Sequence, residues 1–255
     1  MNPFDAMNAI NDGRWADLNA WLENNPDAWP TFHASDDQSH GALMVLAQSH
    51  GERHAEGLDW LERRFADRAT LQSLASAEMH DLMDQGAPLQ PIWAHDVAAR
   101  GWFTADVFNR LLTEGEIGGK NKLPYAHDLA LEALKPGRSD AVMGIVARMA
   151  QAGVDVNQHG KREGDAPMLS HAVTEGAPEL VRALLNAGAD PTRSFGKPQN
   201  PIDHIGLLVQ FFPDKPAYKD VAAILHAHQA KQHVNDVVRG LQANEPHAFC
   251  PSPKA

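Results

Sequence analysis

Seven consecutive positions recur in this chain at an interval that few architectures permit. Trp93-Ala94-His95-Asp96-Val97-Ala98-Ala99 is followed 32 residues later by Tyr125-Ala126-His127-Asp128-Leu129-Ala130-Leu131. The order aromatic, Ala, His, Asp, aliphatic, Ala, apolar is kept throughout. A second series runs with it: Asp84-Gln85-Gly86-Ala87-Pro88, Ala152-Gly153-Val154-Asp155-Val156-Asn157 and Asn186-Ala187-Gly188-Ala189-Asp190-Pro191. Apolar residues fall at helical spacing around this punctuation. Leu18, Trp21 and Leu22 follow Asp12-Gly13, Leu58 and Leu61 follow His50-Gly51, Val107, Leu111 and Leu112 follow Arg100-Gly101, and Leu180, Leu184 and Leu185 follow Glu175-Gly176. Each unit reads as a short helix, a Gly turn and a second helix of about three turns. Sustained period-2 alternation is absent, so the chain reads as all-α. Self-similarity near 33 residues predicts a solenoid, in which a helix pair buries its apolar face only against the next pair.

Composition narrows the function classes. The 255 residues are 43% apolar, an ordinary share for a globular chain, and the formal net charge is −11. No stretch approaches the roughly 18 apolar residues of a membrane span. The start, Met1-Asn2-Pro3-Phe4-Asp5-Ala6, lacks the pattern of a secretory signal, so a cytoplasmic location is expected. Cys250 is the only cysteine, which excludes a disulfide within the chain and a multi-thiolate zinc site. An acidic balance also argues against unselective nucleic-acid binding. Charge is unevenly spread: residues 1–119 hold 19 acidic against 7 basic residues, a net −12, whereas the rest carries +1. All six tryptophans lie on the acidic side. Either a face for a cationic partner or a solvated surface over a Trp-rich core would give this pattern.

The segment Ala166-Pro167-Met168-Leu169-Ser170-His171-Ala172-Val173-Thr174-Glu175-Gly176 through Pro178 and Leu185 to Asp190 resembles an ankyrin repeat. Leu123 to Asn157 is similar, with an insertion around Lys135-Pro136-Gly137. Pro91 to Gly115, Asn8 to Asp27 and Ala42 to Arg63 fit more loosely. The resemblance implies an ankyrin-like solenoid of about six helix pairs. Residues 1–90 would be degenerate repeats, 91–228 clearer ones, 229–243 a capping helix and 244–255 a Pro-rich tail. Residues 67–86 are too short for a full repeat and read as a truncated or rearranged pair. In such repeats small residues, here Ala98, Ala130 and Ala172, let neighbouring first helices approach closely. His95 and Ser170 match the polar position that ties adjacent repeats.

Several clusters invite chemistry. His95-Asp96, His127-Asp128 and His80-Asp81 have the dipeptide of metal-dependent phosphohydrolases, but a repeat step would separate their equivalents by roughly 10 Å, too far for one ion. His50-Gly51-Glu52 has the His-x-Glu form of zinc deaminases without the cysteine pair that completes it. His226, His228 and His233 lie near the last helix and read as solvated. Gly115-Glu116-Ile117-Gly118-Gly119-Lys120 lacks the spacing of a phosphate loop. No cofactor and no metal is therefore expected.

These readings point to a non-enzymatic module that binds a protein on the concave face formed by first helices and turn tips. The expected contacts are Trp93, Trp102, Tyr125, Arg162, Glu163, Arg193 and Phe195, aromatic and Arg residues being favoured anchors. For Trp93 and Tyr125 a core role is equally open. Acidic tips at Asp36, Asp37, Glu114 and Glu116 would steer a basic partner. A sharper alternative is an immunity or adaptor protein neutralising a basic bacterial toxin or effector; the competing class is a His-Asp phosphohydrolase-like enzyme.

Overall fold

Where glycine separates paired helices, the backbone turns left-handed and stops the first helix. Gly101 has φ 75° and Gly176 φ 73°, a region open to residues without Cβ. At the second, Gly176 N–H donates to Val173 O (3.2 Å) and Ala177 N–H to Ala172 O (2.9 Å). These bonds satisfy carbonyls that the helix end would leave unpaired. The same paired bonds recur at Gly13, Gly101, Gly153 and Gly188.

The computed structural model describes residues 8–10, 12–25, 31–33, 39–41, 52–65, 67–84, 86, 89, 91–117, 123–161, 165–193 and 200–243; for 31–33, 39–41, 52–53, 91–93 and 240–243 no side chain is described. Its helices are α1 (Trp15–Asn24), α2 (Glu52–Arg64), α3 (Arg68–Asp84), α4 (Pro91–Arg100), α5 (Ala105–Glu114), α6 (Tyr125–Ala133), α7 (Ser139–Gln151), α8 (Met168–Glu175), α9 (Pro178–Asn186), α10 (Pro201–Phe211) and α11 (Pro216–Ala243). The protein is mostly helical. Among the described residues, strands are confined to two short antiparallel pairs, β1 (Thr31–His33) with β2 (Ser39–Gly41) and β3 (Glu116–Ile117) with β4 (Leu123–Pro124), and no helix is long and apolar enough to cross a membrane.

The helix pairs stack. First helices α6, α8 and α10 lie side by side, and so do second helices α7, α9 and α11. The second helices present apolar residues to that stack: Val142, Ile145, Val146 and Met149 on α7, and Leu180, Val181, Leu184 and Leu185 on α9, all buried. Ala130 and Ala172 are fully buried between first helices. Equivalent turns are also stitched: Asn157 accepts from Asp190 N–H (2.7 Å) and donates to Gly188 O (3.1 Å).

The pair at 91–114 breaks this order. Its first helix, α4, packs on the second helix α7, while its second helix, α5, meets α3 and the first helix α6. Two further expectations are corrected. Residues 67–86 hold one continuous helix, α3, rather than a rearranged pair, since nothing between Arg68 and Asp84 breaks it. The expected capping helix at 229–243 is the distal part of α11, which runs unbroken for 28 residues. Residues 42–51 lie outside the described residues.

Leu184 is fully buried between α9 and its neighbours. Leu184→Ala should cost about 2–5 kcal/mol through the cavity it leaves. Thermal melts followed by circular dichroism check this; a loss below about 0.5 kcal/mol would contradict the packing.

Candidate partner-binding surface

Short first helices set side by side bring histidines from successive pairs together. His127 on α6 stacks on His171 of α8 with ring centroids 4.6 Å apart and 10° between planes. His127 Nε2 lies 3.0 Å from Glu175 Oε1, and His204 on α10 lies 3.3 Å from Thr174 Oγ1 through its Nε2. Burial pushes the His171 imidazole down to about 4, and the neighbouring His127 adds to this. His171 is therefore neutral near pH 7. Its Nε2 is buried and has no hydrogen-bond partner among the described residues.

Beside this row lies a buried ionic network. His95 Nε2 is 2.6 Å from Asp128 Oδ2 on α6, so His95 ties its helix pair to the next. Asp96 accepts from Arg138 (2.7 Å), and His54 Nε2 lies 3.4 Å from its other oxygen. Burial raises the Asp96 carboxyl, but His54 and Arg138 outweigh it and hold the group below the usual carboxylate range. Glu132, only 4% exposed, is bound by Arg138 and Lys135, which likewise overcome its burial. A buried charge needs such partners. His80 accepts from Arg110 at Nδ1 and faces Asp106 through Nε2, which places its proton on Nε2. The His-Asp dipeptides thus take separate partners: His95 with Asp128, Asp96 with Arg138, and His127 with Glu175. Among the described residues, no three His, Cys, Asp or Glu side chains are grouped to hold a metal ion.

The sequence-predicted contacts meet different fates. Trp102 and Tyr125 are 1% and 0% exposed, so both are core residues and neither is a surface anchor. Trp102 follows the Gly101 stop, where its N–H bonds Val97 O and turns the indole inward. Burial, and then the Asp128 charge, push the Tyr125 phenol far upward. Trp93 lies in the first turn of α4, but its side chain lies outside the described residues, as do Asp36, Asp37, Arg162, Glu163 and Phe195. Arg193 is exposed after the α9 turn.

Glu114 and Glu116 come together at a hollow of 350 Å³, also lined by Lys161 and Asp165. Glu114 binds Lys161 and Arg110, and the Lys161 bond above all holds its carboxyl below the usual range. Glu114 is thus a tie between α5 and the loop near 161, not an unpaired steering charge. The tryptophans described with side chains serve the interior: Trp15 stacks on Trp60 at 5.6 Å, and Trp60 donates to Asn19.

Sequence reasoning missed the exposed apolar tips. Phe211 is 71% and Phe212 47% exposed at the α10–α11 turn. The signal was an apolar pair directly before Pro213-Asp214, where a helix must end. Comparison with known family models and with curated proteins returns no match.

The His171 position generates a pH prediction. Its folded-state value lies below that of an unfolded histidine, so the unfolded chain binds more protons in the interval. Stability from this group is complete above about pH 6.5 and falls as pH drops toward 4, by roughly 1.4 kcal/mol per pH unit. His171→Phe, which keeps a flat ring against His127, should flatten that part of the stability–pH curve in urea denaturation. An unchanged slope would refute the assignment.

Proposed function

We propose that the chain is a non-enzymatic protein-binding module of the ankyrin type, holding a partner on its first-helix face and turn tips. The observation that carries this reading is the side-by-side stacking of α6, α8 and α10 with their turns in register. Such stacking produces a broad continuous surface without a deep pocket, suited to a protein rather than a small substrate. The exposed Phe211, Phe212 and Arg193 supply residue types favoured as anchors.

A specific observation favours the narrower reading, an immunity or adaptor protein for a basic toxin or effector. Residues 1–119 hold 19 acidic against 7 basic residues, and their acids face solvent even where paired: Asp12 (59% exposed) and Asp17 (54%) beside Arg14, Asp84 (66%) beside Arg110 and Asp106 (75%) beside His80. An acidic surface accelerates encounter with a basic partner and selects against acidic ones.

Affinity capture from the native host, followed by reconstitution of the purified pair, tests the module. A stoichiometric complex weakened by Phe211→Ser is the expected result; full affinity in that variant would remove the tip from the interface. Neutralising Asp12, Asp17, Asp84 and Asp106 to Asn should change stability by at most about 1 kcal/mol per site, as for surface pairs. With a basic partner it should slow association and flatten the salt dependence. Equal rates and equal salt slopes would leave the acidic surface as solvation only.

A further inference from the structure

Three arginines from distant parts of the chain converge on the turn between α4 and α5. Arg68 begins α3, Arg100 ends α4, and Arg148 lies in the last turn of α7. They border two adjoining hollows of 340 and 290 Å³ that share Arg68 and Arg148. Trp102, Phe103 and Phe108, all essentially buried, contribute to the walls. The approach is close because residue 101 lacks a side chain. A Cβ there would overlap Arg68 Nη2 and lie 3.1 Å from Arg148 Nε.

The charges are unequally compensated. Arg100 is bound by Asp59 (2.6 Å) and Glu62 (2.8 Å), so it adds no net charge to the cleft. Arg68 donates one hydrogen bond, to Arg100 O (3.2 Å), which occupies a carbonyl at the end of α4. Among the described residues no carboxylate pairs with Arg68, and the Arg148 side chain has neither an ion pair nor a hydrogen bond. Each guanidinium carries five N–H donors in a planar fork. Two like charges are thus held around one glycine, with most of their donors unused, in a protein whose net charge is −11. Complementing helix C-termini accounts for one donor and leaves the rest.

We propose that this cleft binds the dianionic phosphate monoester of a small molecule, with Arg68 and Arg148 as its two cationic ligands. Two guanidinium forks match the charge and three terminal oxygens of a phosphate monoester better than a monovalent carboxylate. The hollows sit at the small end of the range for small-molecule sites, which suits a compact phosphorylated ligand and not a polymer. The exposed amide of Gln151 lies on the same wall and offers a further donor. The site is independent of the first-helix face, so it stands whether or not a protein docks there.

Isothermal titration calorimetry on the full chain tests the proposal, with inorganic phosphate, a nucleoside monophosphate and acetate as probes. Phosphate and the monophosphate should bind with one-to-one stoichiometry, and acetate about tenfold more weakly or not at all. Arg68→Gln and Arg148→Gln should each lower phosphate affinity about tenfold or more, the loss of a charged hydrogen-bond pair. Arg182→Gln, on α9, outside the lining of both hollows and paired with Glu179, should leave affinity unchanged. Arg148→Lys keeps the charge, removes the fork, and should give an intermediate loss. Helix content by circular dichroism accompanies each variant and should match the wild type, so that a lost affinity is read on a folded chain. Absence of phosphate binding at millimolar concentration overturns the proposal. So does affinity retained within about twofold in both glutamine variants, or binding confined to a phosphopeptide or an oligonucleotide.

Discussion

Helices of eight to ten residues, such as Met168–Glu175 and Tyr125–Ala133, are marginal in water because nucleation costs more than so few bonds return. What holds them is burial against the next pair. The left-handed stops at Gly101 and Gly176 make that burial possible by folding each second helix back along its first. Gly176 has a further constraint: a Cβ would come within 3.0 Å of the Tyr218 ring, and Tyr218 donates to Thr174 O from α11. A single glycine thus closes one pair and seats the following one. Stability in such an array depends on interfaces between pairs, so every pair from α6 onward leans on its neighbours.

The departure at 91–117 follows from the same constraint. Between α6 and α7 the chain carries an extended turn, with Arg138 reaching back to Asp96 and Glu132. α4 packs along the 13-residue α7 and reaches α6 through His95, which meets Asp128 and the Tyr125 ring. The charged network around His54, Asp96, Glu132 and Arg138 joins α4 to its neighbours, where the turns after α7 and α9 are joined through Asn157. Docking α4 on α7 also carries the Gly101 turn to the end of α7, where it meets Arg148. The arginine cleft is therefore a consequence of the irregular junction.

Helix pairing was legible in the sequence because its determinants are local. Gly101, Gly153, Gly176 and Gly188 each mark the stop, and the apolar faces of α5, α7 and α9 follow their periodicity. Which helix meets which was not legible, because Trp93–Ala99 and Tyr125–Leu131 share a pattern yet lie in different packing environments. The single helix Arg68–Asp84 was misread for a different reason: a repeat length was imposed on a segment with no breaker in it. An aromatic residue next to a turn reads as a tip, but a left-handed stop redirects the chain across the base of the pair, and Trp102 goes inward. Solvent-facing Phe211 and Phe212 were invisible to a register argument, since they fall where the repeat imposes no requirement.

The acidic N-terminal surface and the arginine cleft act over different distances, and this decides how both can operate on one molecule. Exposed acids at Asp12, Asp17, Asp84 and Asp106 create a field that reaches about 8 Å at physiological salt before screening removes it. That field attracts cations and repels anions during approach. Inside the cleft, donors at hydrogen-bond range dominate, and partial exclusion of water lowers the screening between Arg68, Arg148 and a bound oxyanion. Added salt therefore weakens both the long-range repulsion and the short-range attraction of an anion, whereas for a basic protein it weakens attraction alone. Anion binding should show a shallower salt dependence than association of a cationic partner with the acidic surface. The measured slope separates the two events even when both occur in the same sample.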